Sequence, residues 1–203
     1  MENATTIYIF LSYSSQVQLY TLTSFSHILI QQELSSVDHP MCYAADDGDL
    51  AQIKYLVSER GCDIDERGPD NCTPLMSASY KDHVKVVKYL LFLSADISAT
   101  NCNGDTALHI AADNGCKDTL EVLLKKNPFL NELNSPGYTP LMLAVINRHK
   151  NNAECVELLL KTDRIDLDVR GNGDLTAKEL AAKFRRMRIK RIIEKGGLNQ
   201  SWE

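Results

Sequence analysis

The chain has 203 residues, 44% of them hydrophobic and 24% charged, and a formal net charge of −5. That is enough apolar material for one sizeable core. The acidic balance argues against a general nucleic-acid binder, whose affinity rests on many Lys and Arg contacts to phosphate, so no nucleic-acid partner is expected. The cysteines are Cys42, Cys62, Cys72, Cys102, Cys116 and Cys155; they form no C-x-x-C pair and stand at no zinc-finger spacing from His109 or His149. They read as free, mostly buried thiols of a reducing compartment, which gives a cytoplasmic expectation with the nucleus as second location.

Residues 3–32 contain no Asp, Glu, Lys or Arg. Their longest apolar run, Ile7 to Leu11, is too short to span a bilayer, and the basic start and continuous apolar stretch of a secretory signal are missing. Residues 1–37 are expected to form a poorly ordered extension. The competing reading is a membrane tether through residues 3–32, which partition of the full chain into vesicles would reveal.

Beyond this segment the chain repeats itself. Thr73-Pro74-Leu75-Met76 recurs as Thr106-Ala107-Leu108-His109 and Thr139-Pro140-Leu141-Met142, each step being 33 residues, and more faintly from Thr176 after 37. A small-residue pair follows each start: Ala78-Ser79, Ala111-Ala112, Ala144-Val145, Ala181-Ala182. An aliphatic run comes next, as in Val86-Val87 with Leu90-Leu91, Leu120 with Leu123-Leu124, and Val156 with Leu159-Leu160. Ala44-Ala45, Gly48, Ile53 and Leu56-Val57 make a degenerate first copy from about residue 39. Each copy predicts two short helices. Thr caps the first, Pro suits its opening turn, the small pair allows close packing, and the aliphatic run buries the second helix. Gly48 and Gly115 fall where the chain turns between helices. One unit cannot hide its own apolar face, so the copies must stack.

This unit resembles the ankyrin repeat over roughly residues 39–195. The resemblance implies an all-α solenoid of stacked helix-turn-helix units joined by β-hairpin-like loops. The repeat domain spans 38–196, with copies at about 39–71, 72–104, 105–137, 138–174 and 175–196, and a tail at 197–203. Of the family's T-P-L-H histidine only His109 remains, and the fourth copy carries about three extra residues within Asn147–Asn152.

In this register Asp63, Asp96, Phe129 and Asp166 each lie ten residues before the Thr of the following copy. The stretches Asp63-Ile-Asp65-Glu-Arg67-Gly68 and Asp166-Leu-Asp168-Val-Arg170-Gly171 look like the start of a calcium loop. A twelve-residue loop from Asp166 would end at Ala177 rather than Glu, with Arg170 at a ligand position. They are expected to be inter-repeat hairpins, with Asp bonding the turn and Gly supplying positive φ.

No phosphate-binding loop or dinucleotide fingerprint occurs, and no cysteine has the context of an activated thiolate. His109 beside Thr106 is expected to bond backbone across repeats rather than act as a base. His83 and His149 are expected to be exposed at turns. The chain is read as non-catalytic, with no cofactor, metal or small-molecule substrate.

The resemblance implies a partner protein held at the hairpin tips and concave face. Carried onto this chain, those positions are Asp46, Asp47, Asp70, Tyr80, Lys81, Asn103, Asp105, Asp113, Asn114, Tyr138, Ile146 and Phe184, with Pro69, Cys72, Cys102, Ser135, Pro136, Asn147 and Lys183 beside them. Tyr80, Tyr138 and Ile146 are expected to be exposed, and read either as a contact patch bordered by aspartates or as singly exposed apolar residues. Roles as adaptor, scaffold or inhibitor follow from such a patch. The competing role is a regulatory or targeting subunit of an enzyme complex. From Lys183 to Lys195 there are seven basic residues and one acidic; Ile189, Ile192 and Ile193 are expected to face the stack. The cluster suits nuclear import, an acidic partner or an anionic surface, or simply a soluble capping helix.

Overall fold

The computed structural model describes residues 39–199, so the expectations for residues 1–37 and for the tail beyond Asn199 lie outside the described residues. From Met41 on, the described residues form one compact unit. Ten α-helices and no strand occur among the described residues. They come in five pairs: α1 (Pro40–Asp47) with α2 (Leu50–Ser58), α3 (Pro74–Tyr80) with α4 (Val84–Phe92), α5 (Ala107–Asp113) with α6 (Lys117–Leu124), α7 (Pro140–Ile146) with α8 (Asn152–Leu160), and α9 (Ala177–Lys183) with α10 (Met187–Asn199). None is long and apolar enough to cross a membrane.

Local chemistry sets each start. The hydroxyls of Thr73, Thr106, Thr139 and Thr176 accept from the backbone N–H of the residue three places on, at 3.2–3.4 Å. In the last repeat the Glu179 carboxylate returns a bond to the Thr176 N–H, 2.8 Å, completing a capping box. The small pairs are buried, so α3, α5, α7 and α9 pack side by side as an inner layer. Ala182 is exposed, with no further repeat against it among the described residues. The outer layer, α2, α4, α6, α8 and α10, buries Leu56, Leu90, Leu123, Leu159 and Ile193. Burying one such side chain is worth about 1.5–3 kcal/mol, which is what holds otherwise marginal short helices.

Between inner and outer helix the chain enters the left-handed region at Gly48 (φ 72°), Asp82 (59°), Gly115 (67°) and Arg185 (57°). The next residue then caps the inner helix of the repeat before. His83 Nε2 lies 2.8 Å from the Asp46 carbonyl oxygen, Cys116 Sγ 3.6 Å from that of Tyr80, and Arg186 Nη1 donates to the carbonyls of Ile146 and Asn147. His83 is thus half-buried and engaged, not the exposed turn residue expected, whereas His149 is exposed. The fourth repeat has five residues between its helices, and there buried Asn152 donates to the Ala144 carbonyl at 3.0 Å.

The hairpins repeat with the same period. Gly68, Asn101, Asn134 and Gly171 each donate a backbone N–H to the carbonyl four residues on. Cys102, Ser135 and Asn172 donate to carbonyls of Asp70, Asn103 and Gly137 in the preceding hairpin, at 2.7–2.9 Å. Asp63, Asp96 and Asp166 accept the N–H two residues on, at 2.9–3.0 Å. This is the turn role expected of them. The glycines of these stretches serve differently from expectation. Gly68 has φ −86°, and a Cβ there would meet Cys42 Sγ at 2.9 Å; on Gly171 it would meet Met142 Sδ at 2.6 Å and the Gly137 carbonyl. Close packing fixes them, against the first helix of their own copy at both positions and at Gly171 also against the preceding hairpin, while positive φ falls later, at Asp70 and Asn71 or Gly173 and Asp174.

Candidate partner-binding groove

The inner helices leave one wall of the stack open. On a helix, residues three or four apart share a face, so the positions four and seven places after each repeat start project together. The fourth positions are Tyr43, Ser77, Ile110 and Leu143; the seventh are Asp46, Tyr80, Asp113 and Ile146. With residues of the hairpins, all of these except Ile146 enclose a groove of about 610 Å³.

Of the twelve residues expected to bind a partner, Asp46, Asp70, Tyr80, Asp105, Asp113, Asn114 and Tyr138 line this groove. Asp47, Asn103, Ile146 and Phe184 stand apart from the lining. Lys81 sits at its rim, 3.9 Å from the Asp46 carboxylate and 5.4 Å above the Tyr80 ring. Tyr80 is 54% exposed, as expected. Tyr138 and Ile146 are half-buried instead, packed against the core. Tyr43 (51% exposed), Ile110 and Leu143 line the groove without having been singled out. The signal that finds them is helical spacing: they lie one turn before residues that were.

Two of the carboxylates are held by asparagines further along the chain. Asp105 accepts from Asn134 Nδ2 at 2.7 Å, and Asp113 accepts from Asn147 Nδ2. Burial, then the nearby Asp105 carboxylate, raises the pKa of Asp113. His109 is 1% exposed at the groove floor. Its Nδ1 meets the Thr106 hydroxyl at 2.9 Å and its Nε2 the Glu132 carbonyl at 3.1 Å; this is a backbone bond as expected, but to the far end of its own copy and not across repeats. Burial lowers its pKa and favours the neutral ring. No Lys or Arg is among the lining residues described.

The cysteines are free. Cys42, Cys116 and Cys155 are buried, and burial pushes their thiols up to about 12, 11 and 12. Such thiols are poor nucleophiles. At the far end Ile189 and Ile193 are buried and Ile192 half-buried, as expected, while Lys183, Arg185, Arg188 and Arg191 are exposed.

The family model for ankyrin repeats, describing three copies, matches residues 21–101 and 92–171. The chain belongs to the ankyrin repeat family, whose repeats are protein–protein interaction modules. It is 36% identical over 125 residues to the ankyrin repeat protein FPV031 of Fowlpox virus (strain NVSL), covering 60% of this chain and 36% of that one. It is 34% identical over 99 residues to the fem-1 homolog A-like protein of Mus musculus, covering 49% of this chain and 15% of the relative. To the neurogenic locus notch homolog protein 2 of Homo sapiens it is 32% identical over 139 residues, 60% of this chain and 6% of the relative. The chain therefore spans well under half the length of these relatives.

Proposed function

We propose that the chain is a non-catalytic adaptor or inhibitor that holds a partner protein across the groove of its inner helices and the adjoining hairpin tips. One observation carries the reading: Tyr43 and Tyr80, both about half exposed, stand on successive inner helices of the same groove. Tyrosine offers a large, rigid contact surface with a polar tip and is enriched at interaction hot spots. In the groove His109 is occupied by structural hydrogen bonds, and burial holds the Cys42 thiol protonated, which supports a binding rather than a catalytic role.

The test is site-specific photo-crosslinking in cells, with a benzophenone side chain replacing Tyr43, Tyr80 or, on the outer layer, Lys88. A protein adduct formed from positions 43 and 80 and absent from 88 is the expected result. Adducts formed equally from all three positions, or from 88 alone, would discard the groove as the binding face.

A further inference from the structure

Carboxylates recur along the groove. Asp46, Asp70, Asp105 and Asp113 all reach its lining, and no Lys or Arg described there opposes them. Their charge is not used up within the chain. Asp105 and Asp113 accept from neutral asparagine amides, and among the described residues the Asp46 carboxylate pairs with the exposed Lys81, at 3.9 Å. No ion pair involves Asp70 among the described residues. Tyrosine rings line the same wall, and the Lys81 ammonium at 5.4 Å from the Tyr80 centroid shows that one ring face is open to a cation. Ile110 and Leu143 place apolar side chains between the acidic positions.

We propose that the groove takes an extended basic segment of a partner protein, in which Lys or Arg side chains alternate with apolar ones. This rests on the groove being the binding face. Cations meet the four aspartates and the tyrosine faces, while the alternate side chains lie on Ile110 and Leu143. Inner helices of neighbouring repeats lie roughly 10 Å apart, so the four repeats that line the groove span roughly 30 Å, which about nine extended residues cover. A volume of about 610 Å³ spread over that length suits one extended chain, whereas a helix with its side chains is about 10–12 Å across. Residues 3–32 of this chain hold no Lys or Arg and so cannot supply the cations.

The test is selection of random peptides of about nine residues, displayed on phage, against the full chain. The two strongest binders are then synthesised and measured by fluorescence anisotropy at low and high salt. Two variants accompany the parent: Tyr80→Ala, and the double variant Asp46→Asn, Asp70→Asn. The latter changes exposed side chains only, and asparagine tolerates the φ of 53° at position 70. The expected result is enrichment of alternating basic and apolar peptides, an affinity about twofold to fivefold lower for each carboxylate removed, and a shallower salt dependence. Acidic or uncharged peptides that still lose binding with Tyr80→Ala would overturn the basic partner and leave the groove as the binding face. Peptides indifferent to both variants would overturn both readings. No enrichment would overturn the basic segment. So would sedimentation of the parent as an oligomer that Asp46→Asn, Asp70→Asn dissociates, since the occupant would then be the basic C-terminal helix of a second copy.

Discussion

The imidazole of His83 reaches back one repeat to the carbonyl oxygen of Asp46, 2.8 Å away, and supplies a hydrogen bond that the end of that helix lacks. A carbonyl only accepts, so Nε2 carries the proton. His83→Ala leaves the carbonyl partnerless and is expected to cost about 1–2 kcal/mol. Urea unfolding measures the loss, and amide exchange locates it. Faster exchange should appear at residues 44–49 of the preceding repeat. A loss confined to α4 would show that His83 serves only its own helix.

His109 makes stability depend on pH in a defined direction. Its folded pKa is lowered by burial, so below the ordinary value of 6.5 the unfolded chain takes up the proton more readily. The stabilisation from a neutral His109 is present above 6.5 and is lost as pH falls from there toward the lowered folded value. Asp113, raised by burial and by Asp105, acts in the opposite sense at more acid pH. Met76 and Met142 fill the equivalent place in neighbouring repeats, so His109→Met is expected to fold, at a cost of about 1 kcal/mol for the lost bonds. Its unfolding free energy should vary less between about pH 6.5 and pH 5 than the parent's. An unchanged slope would mean that another group titrates there.

Two kinds of glycine can be told apart by substitution. Gly171→Ala drives a Cβ into the Gly137 carbonyl and Met142 and is expected to cost about 2–3 kcal/mol. Gly61→Ala meets nothing within 4 Å and pays only for its φ of 59°, about 1 kcal/mol. Denaturant midpoints of the two variants decide the order. Equal losses would show that the repeats yield at position 171.

Those glycines also mark how far the sequence alone reaches. A threonine every 33 residues fixes the helix starts, since an N-cap needs only the residue and its own helix. The role of Gly68 depends on Cys42, at the other end of its own copy, a distance no spacing reveals. Part of the candidate groove was legible because Tyr80 and Asp113 stand out by type and register. Ile110 and Leu143 look like core residues until the inner helices are seen to leave one wall uncovered. Tyr138 and Ile146 erred the other way, being half-buried against the core.

Thiol labelling should report the stack's integrity. Cys102 is exposed, while Cys42, Cys116 and Cys155 are buried with thiols pushed up to about 12, 11 and 12. A brief pulse of iodoacetamide near pH 8 is expected to modify Cys102 first and to spare the buried three until denaturant is added. Peptide mass spectrometry reads the order. Early modification of Cys155 would mean that the interior between the third and fourth repeats opens on the timescale of the pulse.

The helix-end contacts of His83, Cys116 and Arg186 all run from a later repeat to an earlier one. A chain emerging from the ribosome therefore has the first inner helix in hand well before the imidazole that finishes it. Each repeat matures only when its successor has been made. Vectorial synthesis thus keeps the newest repeat provisional, and release of the C-terminal repeat, with Arg186, closes the last of these open ends.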